Sequence, residues 1–196
     1  METLPAIVAA AGLSSRMGTS KALLDAGGAT FLARVIDSLA QGGGDPIVVV
    51  VRDLGGGESR EAEALGAVPV LNPNPDPGPI SSLQAGIRSL KPDAPAILFT
   101  PVDHPLFLPS TVRTLVEAFR KTQPALVAPS HGGKPGHPVV FGRGLFPELL
   151  QGELPHGART VVRRHLDERI LVPVDDPGIL ADIDTPDDYR RWLSSE

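Results

Sequence analysis

Residues 6–24 read AIVAAAGLSSRMGTSKALL, and this stretch decides the fold expected for the whole chain. Its first five residues form an apolar run typical of a strand that is buried on both faces. Gly12 then opens a segment of small and hydroxyl-bearing residues without helical periodicity, which predicts a loop. In open parallel sheets, ligands bind where loops leave the carboxyl ends of the strands. The stretch therefore predicts a parallel α/β sheet with a binding loop after its first strand.

The rest of the chain alternates between short apolar runs and segments with helical spacing. Further strands are predicted at Ile47–Val51, Ala67–Leu71, Ala96–Thr100, Ala125–Pro129, Val139–Phe141 and Arg169–Val174. Helices are predicted in FLARVIDSLA (31–40), SLQAGIRSL (82–90) and STVRTLVEAFRK (110–121), the last capped by Ser110. This alternation predicts one domain over residues 1–196, a three-layer α/β/α fold with a mostly parallel, Rossmann-like sheet.

Composition narrows the function classes. The chain has a formal net charge of −5, and 41% of its residues are hydrophobic. An acidic chain does not favour nucleic-acid binding, and no apolar run reaches the length of about 18 residues that a membrane helix needs. With no cysteine, disulfides, thiolate metal sites and cysteine nucleophiles are excluded. We expect a cytoplasmic protein that binds neither nucleic acid nor membrane.

The loop after the first strand is the leading candidate for anion binding. Gly12 lets the backbone approach a ligand, Arg16 offers a fork for phosphate oxygens, and Lys21 adds a compact charge. The alternative is a solvent-facing loop with hydrated cations, but the preceding strand and the glycine turn favour phosphate. The segment lacks both the P-loop order and the G-x-G-x-x-G order of dinucleotide-binding proteins.

Carboxylates form the second set of candidates. Asp103 follows the run 96–100 and is suited to hold Mg²⁺ beside a phosphate, although an Asx turn explains it about equally well. Near the C-terminus, Asp182 and Asp184 alternate around Ile183 as in a short strand. Asp184 is the stronger candidate for a metal ligand and Asp182 the weaker one.

Two further segments hold polar residues among glycines and prolines. NPNPDPGPISSLQAGI (72–87) leads into a helix near Ser81. Ser81 and Ser82 could bind a ribose, a base edge or a phosphate there, and ordinary N-capping explains them equally well. HGGKPGHPVVFG (131–142) places His137 in a turn that could reach over a ligand. A turn histidine without chemistry is the alternative there.

Several motifs together resemble one family. The stretch AAAGLSSRMGTSKALL (9–24) is similar to the A-A-G-x-S-x-R-M-G-x-x-K signature of nucleotidyltransferases with a glycosyltransferase-A-like fold. GPISSLQAG, VDHP, GKPGHPVVF, GARTVV and DIDTPDDY follow in the order seen in the molybdenum cofactor cytidylyl- and guanylyltransferases. The resemblance covers nearly the whole chain. His104, within VDHP, stands where relatives often carry another residue.

The resemblance implies roles for the matching positions. Main-chain groups of Ala10, Ala11 and Gly12 would hold a nucleoside triphosphate together with the side chains of Arg16 and Lys21. Asn72, Ser81 and Ser82 would lie beside the nucleoside. Asp103 would hold Mg²⁺ with Asp184 as a second ligand, and the His137 segment would face the acceptor. These assignments make Arg16, Lys21 and Asp103 the expected catalytic residues.

The implied reaction is nucleotide transfer to the terminal phosphate of a molybdopterin-type cofactor, with release of pyrophosphate. Ala-Ala-Gly at positions 10–12 resembles the cytidylyl enzymes, so CTP is favoured over GTP as the donor. The product would pass to a molybdoenzyme or its chaperone. The alternatives are a guanylyltransferase, a nucleotidyltransferase for a sugar phosphate or phospholactate, and a non-catalytic nucleotide-binding domain.

Overall fold

A computed structural model describes residues 3–12, 20–25, 27–152, 154–183 and 187–188. The strands are β1 (Leu4–Ala9), β2 (Gly44–Val51), β3 (Val68–Leu71), β4 (Ala96–Pro101), β5 (Leu126–His131), β6 (Lys134–Pro135), β7 (Val139–Gly142) and β8 (Arg169–Pro173). The α-helices are α1 (Phe31–Gly42), α2 (Gly57–Ala64), α3 (Pro79–Ser89), α4 (Pro109–Thr122), α5 (Phe146–Leu149) and α6 (Ala158–Arg164).

The strands form one eight-stranded sheet, in which seven strands follow the order β3-β2-β1-β4-β7-β5-β6. The eighth strand, β8, pairs with β5. β1 to β4 are parallel, and β8 is parallel to β5. β7 runs antiparallel between β4 and β5. The mostly parallel sheet predicted from the sequence is therefore confirmed.

Helices cover both faces of the sheet, because the strand side chains alternate between two apolar clusters. Val8 and Val49 belong to the cluster that includes residues of α1 and α4. Ile7 and Val50 belong to the cluster that includes residues of α3 and α6. This arrangement confirms the three-layer prediction. α3 lies so close to β1 that a Cβ on Gly86 would stand 2.5 Å from the Ile7 side chain.

Two local features differ from expectation. α2 was not anticipated, because its sequence GESREAEA has no apolar periodicity and buries only Ser59 and Ala62. The predicted cap at Ser110 is wrong, since α4 begins at Pro109 and Leu108 occupies the N-cap position. Within the part of the chain that the structure describes, no helix is long and apolar enough to cross a membrane.

Candidate active site

The carboxyl ends of three parallel strands place the candidate residues side by side. Ala10 N–H donates to the Val50 carbonyl at 2.9 Å, and Val102 N–H donates to the Ala9 carbonyl at 3.1 Å. These bonds extend the pairing of β1 with β2 and β4 past the strand ends. As a result, the loop that begins near Gly12 and the turn that contains Asp103 meet at one edge of the sheet.

A cavity of about 210 Å³ opens at this edge. Its walls combine small residues with a lysine and a carboxylate, contributed by Ala9, Ala10, Gly12, Ser20, Lys21, Ala22, Pro75, Gly78, Pro79, Ser82, Pro101, Val102 and Asp103. We call it the donor cavity. Among the described residues, a Cβ at Gly12 would have no neighbour within 4 Å, so no described side chain covers this backbone.

Lys21 and Asp103 face each other across the donor cavity. Lys21 Nζ lies 3.4 Å from Asp103 Oδ2, and the two side chains are 14% and 25% exposed. A lysine suits a phosphate and a carboxylate suits a divalent metal ion, so this pair places both types of group in one cavity wall. The structure therefore brings together these two residues, which lie 82 positions apart in the sequence.

Asn72, Ser81 and Ser82 form one hydrogen-bonded group beneath the donor cavity. The Asn72 amide donates to Ser81 Oγ at 2.9 Å and to Ser82 Oγ at 3.2 Å, and Asn72 is 3% exposed. Ser81 Oγ donates to the Gly78 carbonyl at 2.8 Å. The capping alternative for the serines is wrong, because Gly78 is the N-cap of α3 and no side chain caps it. Asn72 instead holds Ser82 in the cavity wall.

The remaining predicted donor residues are placed as follows. Ala10 lines the donor cavity, while Ala11 is buried with 1% exposure. Arg16 and Asp184 lie outside the described residues, so their roles stay predictions. The short strand predicted around Ile183 is absent at residues 181–183, where the described chain has no regular structure.

A second cavity, of about 440 Å³, adjoins the turn that follows Asp103. We call it the acceptor cavity. Phe99, Phe141 and other apolar side chains line it. Its polar lining residues are His104, His137, Arg159, Arg169 and Asp182. The Nε of Arg169 is buried and has no hydrogen-bond partner among the described residues.

His137 enters the acceptor cavity from the segment between β6 and β7. Its backbone N–H donates to the Ile179 carbonyl at 3.0 Å, and a Cβ on the preceding Gly136 would stand 2.2 Å from that same oxygen. Burial, followed by repulsion from His104 and then Arg159, lowers the pKa of His137 to about 3, against a hydrogen bond with the Phe99 backbone that raises it. The imidazole is therefore neutral at physiological pH.

The two cavities meet at Asp103, His104 and Asp182. Asp103 lines the donor cavity, whereas His104 and Asp182 line the acceptor cavity. One ligand atom from each of the three residues lies within 4.8 Å of the other two. Ile183 N–H donates to the Asp103 carbonyl at 3.0 Å, which ties the C-terminal segment to this turn. Two carboxylates and one imidazole can thus approach a single divalent cation.

Sequence reasoning assigned no role to the two arginines of the acceptor cavity, Arg159 and Arg169. Arg159 lies in the quoted motif GARTVV, so the signal existed but carried no assigned role. Arg169 begins β8 and gave no signal, because nothing in the sequence shows that β8 pairs with β5. Asp182 was ranked below Asp184 as a metal ligand.

Comparisons with known proteins show the family of the chain. The MobA-like NTP transferase domain family matches residues 6–170. The molybdenum cofactor cytidylyltransferase of Escherichia coli is 28% identical, with 96% of this chain and 95% of that protein aligned. A molybdenum cofactor guanylyltransferase of Rhodopseudomonas palustris is 34% identical, with 76% of this chain and 70% of that protein aligned.

A solved structure shares the fold across the whole chain. Rv0371c of Mycobacterium tuberculosis is 28% identical to this chain and superposes on it with a TM-score of 0.79. The superposition covers 98% of each of the two chains. The same protein has been solved in complex with manganese, where it is 26% identical to this chain with a TM-score of 0.74. The chain belongs to the MobA-like NTP transferase domain family and is a nucleotidyltransferase of the molybdenum cofactor cytidylyl- and guanylyltransferase type.

Proposed function

We propose that this nucleotidyltransferase transfers CMP from CTP to the terminal phosphate of a molybdopterin-type acceptor and releases pyrophosphate. The observation that carries the proposal is the meeting of the two cavities at Asp103 and His104. A donor polyphosphate in the smaller cavity and an acceptor phosphate in the larger one would come together at this junction.

The reaction needs alignment more than it needs a base. A phosphate monoester has a second pKa near ~6, so the acceptor is already largely ionised at neutral pH. Its oxygen attacks the α-phosphorus of the nucleotide, the bond from that phosphorus to the oxygen of the β-phosphate breaks, and pyrophosphate leaves with the electron pair. Lys21 would stabilise the charge that grows on the leaving group, together with Arg16 as predicted from the sequence.

A divalent ion fits the donor set at the junction. Asp103 and Asp182 would hold it, with Asp184 as the further ligand predicted from the sequence. Carboxylate oxygens are suited to Mg²⁺ and to Mn²⁺. When bound, such an ion supplies charge neutralisation between the two phosphates. The manganese complex of Rv0371c supports the use of a divalent ion in this family.

The lining of the acceptor cavity suits a planar heterocycle that carries a phosphate. Phe99 and Phe141 offer apolar surface for a ring system. The neutral His137 lines the same cavity and adds a polar ring to its wall without adding charge. Arg159 and Arg169 would bind the anionic end of the acceptor. A molybdopterin-type cofactor combines both features.

The choice of CTP is supported by Ala10-Ala11-Gly12, the tripeptide by which the chain resembles cytidylyl enzymes, and by the E. coli relative. GTP is the second candidate, because guanylyltransferases are also among the relatives and one is 34% identical. The two differ in the base that must fit beside Ser82 and Asn72.

A pyrophosphate-release assay with molybdopterin, a divalent ion and each of the four nucleoside triphosphates tests the proposal. We expect CTP to give the highest kcat/KM. A preference for GTP would overturn the cytidylyl assignment, and no release with any nucleotide would overturn catalysis. Lys21→Ala should lose about 10²–10³-fold in rate, whereas Lys121→Ala, an exposed lysine on α4, should match the wild type.

A further inference from the structure

The junction of the two cavities contains a nitrogen ligand that an oxygen-only magnesium site does not have. The three residues whose ligand atoms lie within 4.8 Å of one another are Asp103, His104 and Asp182. Ligand atoms around a six-coordinate Mg²⁺ or Mn²⁺ ion stand roughly 3–4 Å apart. The group therefore needs only small side-chain adjustments to close on one ion.

From this arrangement we infer that His104 is a metal ligand, and that its imidazole makes the site bind Mn²⁺ more tightly than Mg²⁺. This inference rests on the proposed function, since it concerns the divalent ion of the same site. Imidazole nitrogen suits the transition ions, whereas Mg²⁺ prefers oxygen and keeps several of its waters. Mg²⁺ remains acceptable, because Asp103 and Asp182 provide oxygen ligands.

The fold holds the His104 ring in place for this role. The turn after β4 continues directly from Asp103 to His104, so one backbone segment presents a carboxylate to the donor cavity and an imidazole to the acceptor cavity. The His104 ring packs against the ring of His137, with centroids 4.5 Å apart and an interplanar angle of 44°. Packing of this kind restricts the ring orientation before an ion binds.

The number of protein ligands decides whether the ion needs a nucleotide in order to bind. An ion held by Asp103 alone would belong to the donor cavity and could be carried in by the nucleotide. An ion held by Asp103, His104 and Asp182 together would have three protein ligands, so we expect it to bind without nucleotide. Ion binding to the protein alone is therefore a direct readout of the inference.

Pulsed electron paramagnetic resonance of the Mn²⁺-loaded protein, without nucleotide, tests whether a histidine nitrogen binds the ion. We expect ¹⁴N modulation from a coordinated imidazole in the wild type and in His156→Gln, which replaces an exposed histidine. The modulation should disappear in His104→Gln. A wild-type spectrum without ¹⁴N modulation, or a modulation that persists in His104→Gln, would overturn the inference.

Titration of the same proteins with Mn²⁺ and Mg²⁺ gives the preference. The Mn²⁺ Kd of His104→Gln should rise at least about 10-fold, while its Mg²⁺ Kd should change less than about 3-fold. Equal losses for both ions would contradict the inference. His104→Asn is the second variant if His104→Gln does not fold, and the same loss of ¹⁴N modulation is expected from it. Nucleotide transfer with Mg²⁺ measures the proposed function separately, because the ion-binding experiments need neither nucleotide nor acceptor.

Discussion

Asp176 is a buried carboxylate that joins the C-terminal segment to the start of α4, and its removal should destabilise the fold strongly. Its Oδ2 accepts hydrogen bonds from Leu108 N–H at 2.8 Å and from the Thr111 hydroxyl at 2.6 Å. Its Oδ1 accepts from Gly178 N–H at 3.0 Å. The side chain is 2% exposed, and its charge lies at the positive end of the helix dipole.

The magnitude follows from the donors that Asp176→Ala would leave behind. The two backbone N–H groups, of Leu108 and Gly178, lose their acceptor, and each of these partly buried donors left unsatisfied costs about 1–2 kcal/mol. The Thr111 hydroxyl can rotate toward another acceptor and adds less. We expect a loss of about 3–4 kcal/mol in the free energy of unfolding, which for a chain of this size lowers Tm by roughly 10 °C.

Chemical and thermal denaturation, followed by circular dichroism, measure this loss. Asp175→Ala is the matched control, because Asp175 is the exposed neighbour and its replacement should change stability by less than about 0.5 kcal/mol. Thr111→Val should cost about 1 kcal/mol. If Asp176→Ala and Asp175→Ala were equally stable, the assignment of Asp176 as the tie between the two segments would be refuted.

Three further predictions concern packing, the acceptor segment and pH. Gly86→Ala should cost about 1–3 kcal/mol by overpacking against Ile7, and an unchanged Tm would contradict the close approach of α3 to β1. Gly136→Ala should displace His137, because the added Cβ would stand 2.2 Å from the Ile179 carbonyl oxygen. We expect the KM for the acceptor to rise while the KM for the nucleotide stays unchanged. An equal effect on both KM values would count against the placement of His137 in the acceptor cavity. Hydrogen bonds to Glu168 and then Glu148 raise the pKa of His165 in the folded protein. The contribution of protonated His165 to folding stability is therefore complete below the ordinary pKa of histidine, and it is lost as the pH rises through the raised pKa. The Tm difference between wild type and His165→Gln should therefore be larger at pH 5.5 than at pH 9, and a constant difference would refute this linkage.

Much of the fold could be predicted from the sequence, because the strands are continuous apolar runs between turn residues. β2 and β4 begin or end within three residues of the predicted bounds. α2 could not be predicted, since its polar sequence carries no periodic signal. The start of α4 was placed at the wrong residue for a related reason. Leu108 is its N-cap residue, and the carboxylate that accepts from Leu108 N–H and the Thr111 hydroxyl is Asp176, which lies in a segment far along the chain.

The site divides in the same way. The loop after the first strand and the Asp103 turn both follow predicted parallel strands, so the sequence predicts that they lie at the same end of the sheet, whereas Ser82 joins them only through the family resemblance. Arg169 and Asp182 come from segments whose neighbours are set only by tertiary pairing. The acceptor cavity therefore became visible only when β8 and the C-terminal segment were placed beside β5 and the Asp103 turn.

The measurement that tests the central claim most directly follows the α-phosphorus itself. Wild-type protein, molybdopterin, CTP labelled at the α-phosphate and a divalent ion are mixed in a single turnover, and the label is traced to the acceptor. The account predicts that label enters the acceptor in equal amount to the pyrophosphate released, and that Asp103→Ala lowers this rate by at least about 10²-fold. Label that stays in CTP or appears only as free CMP, or full transfer by Asp103→Ala, would contradict it.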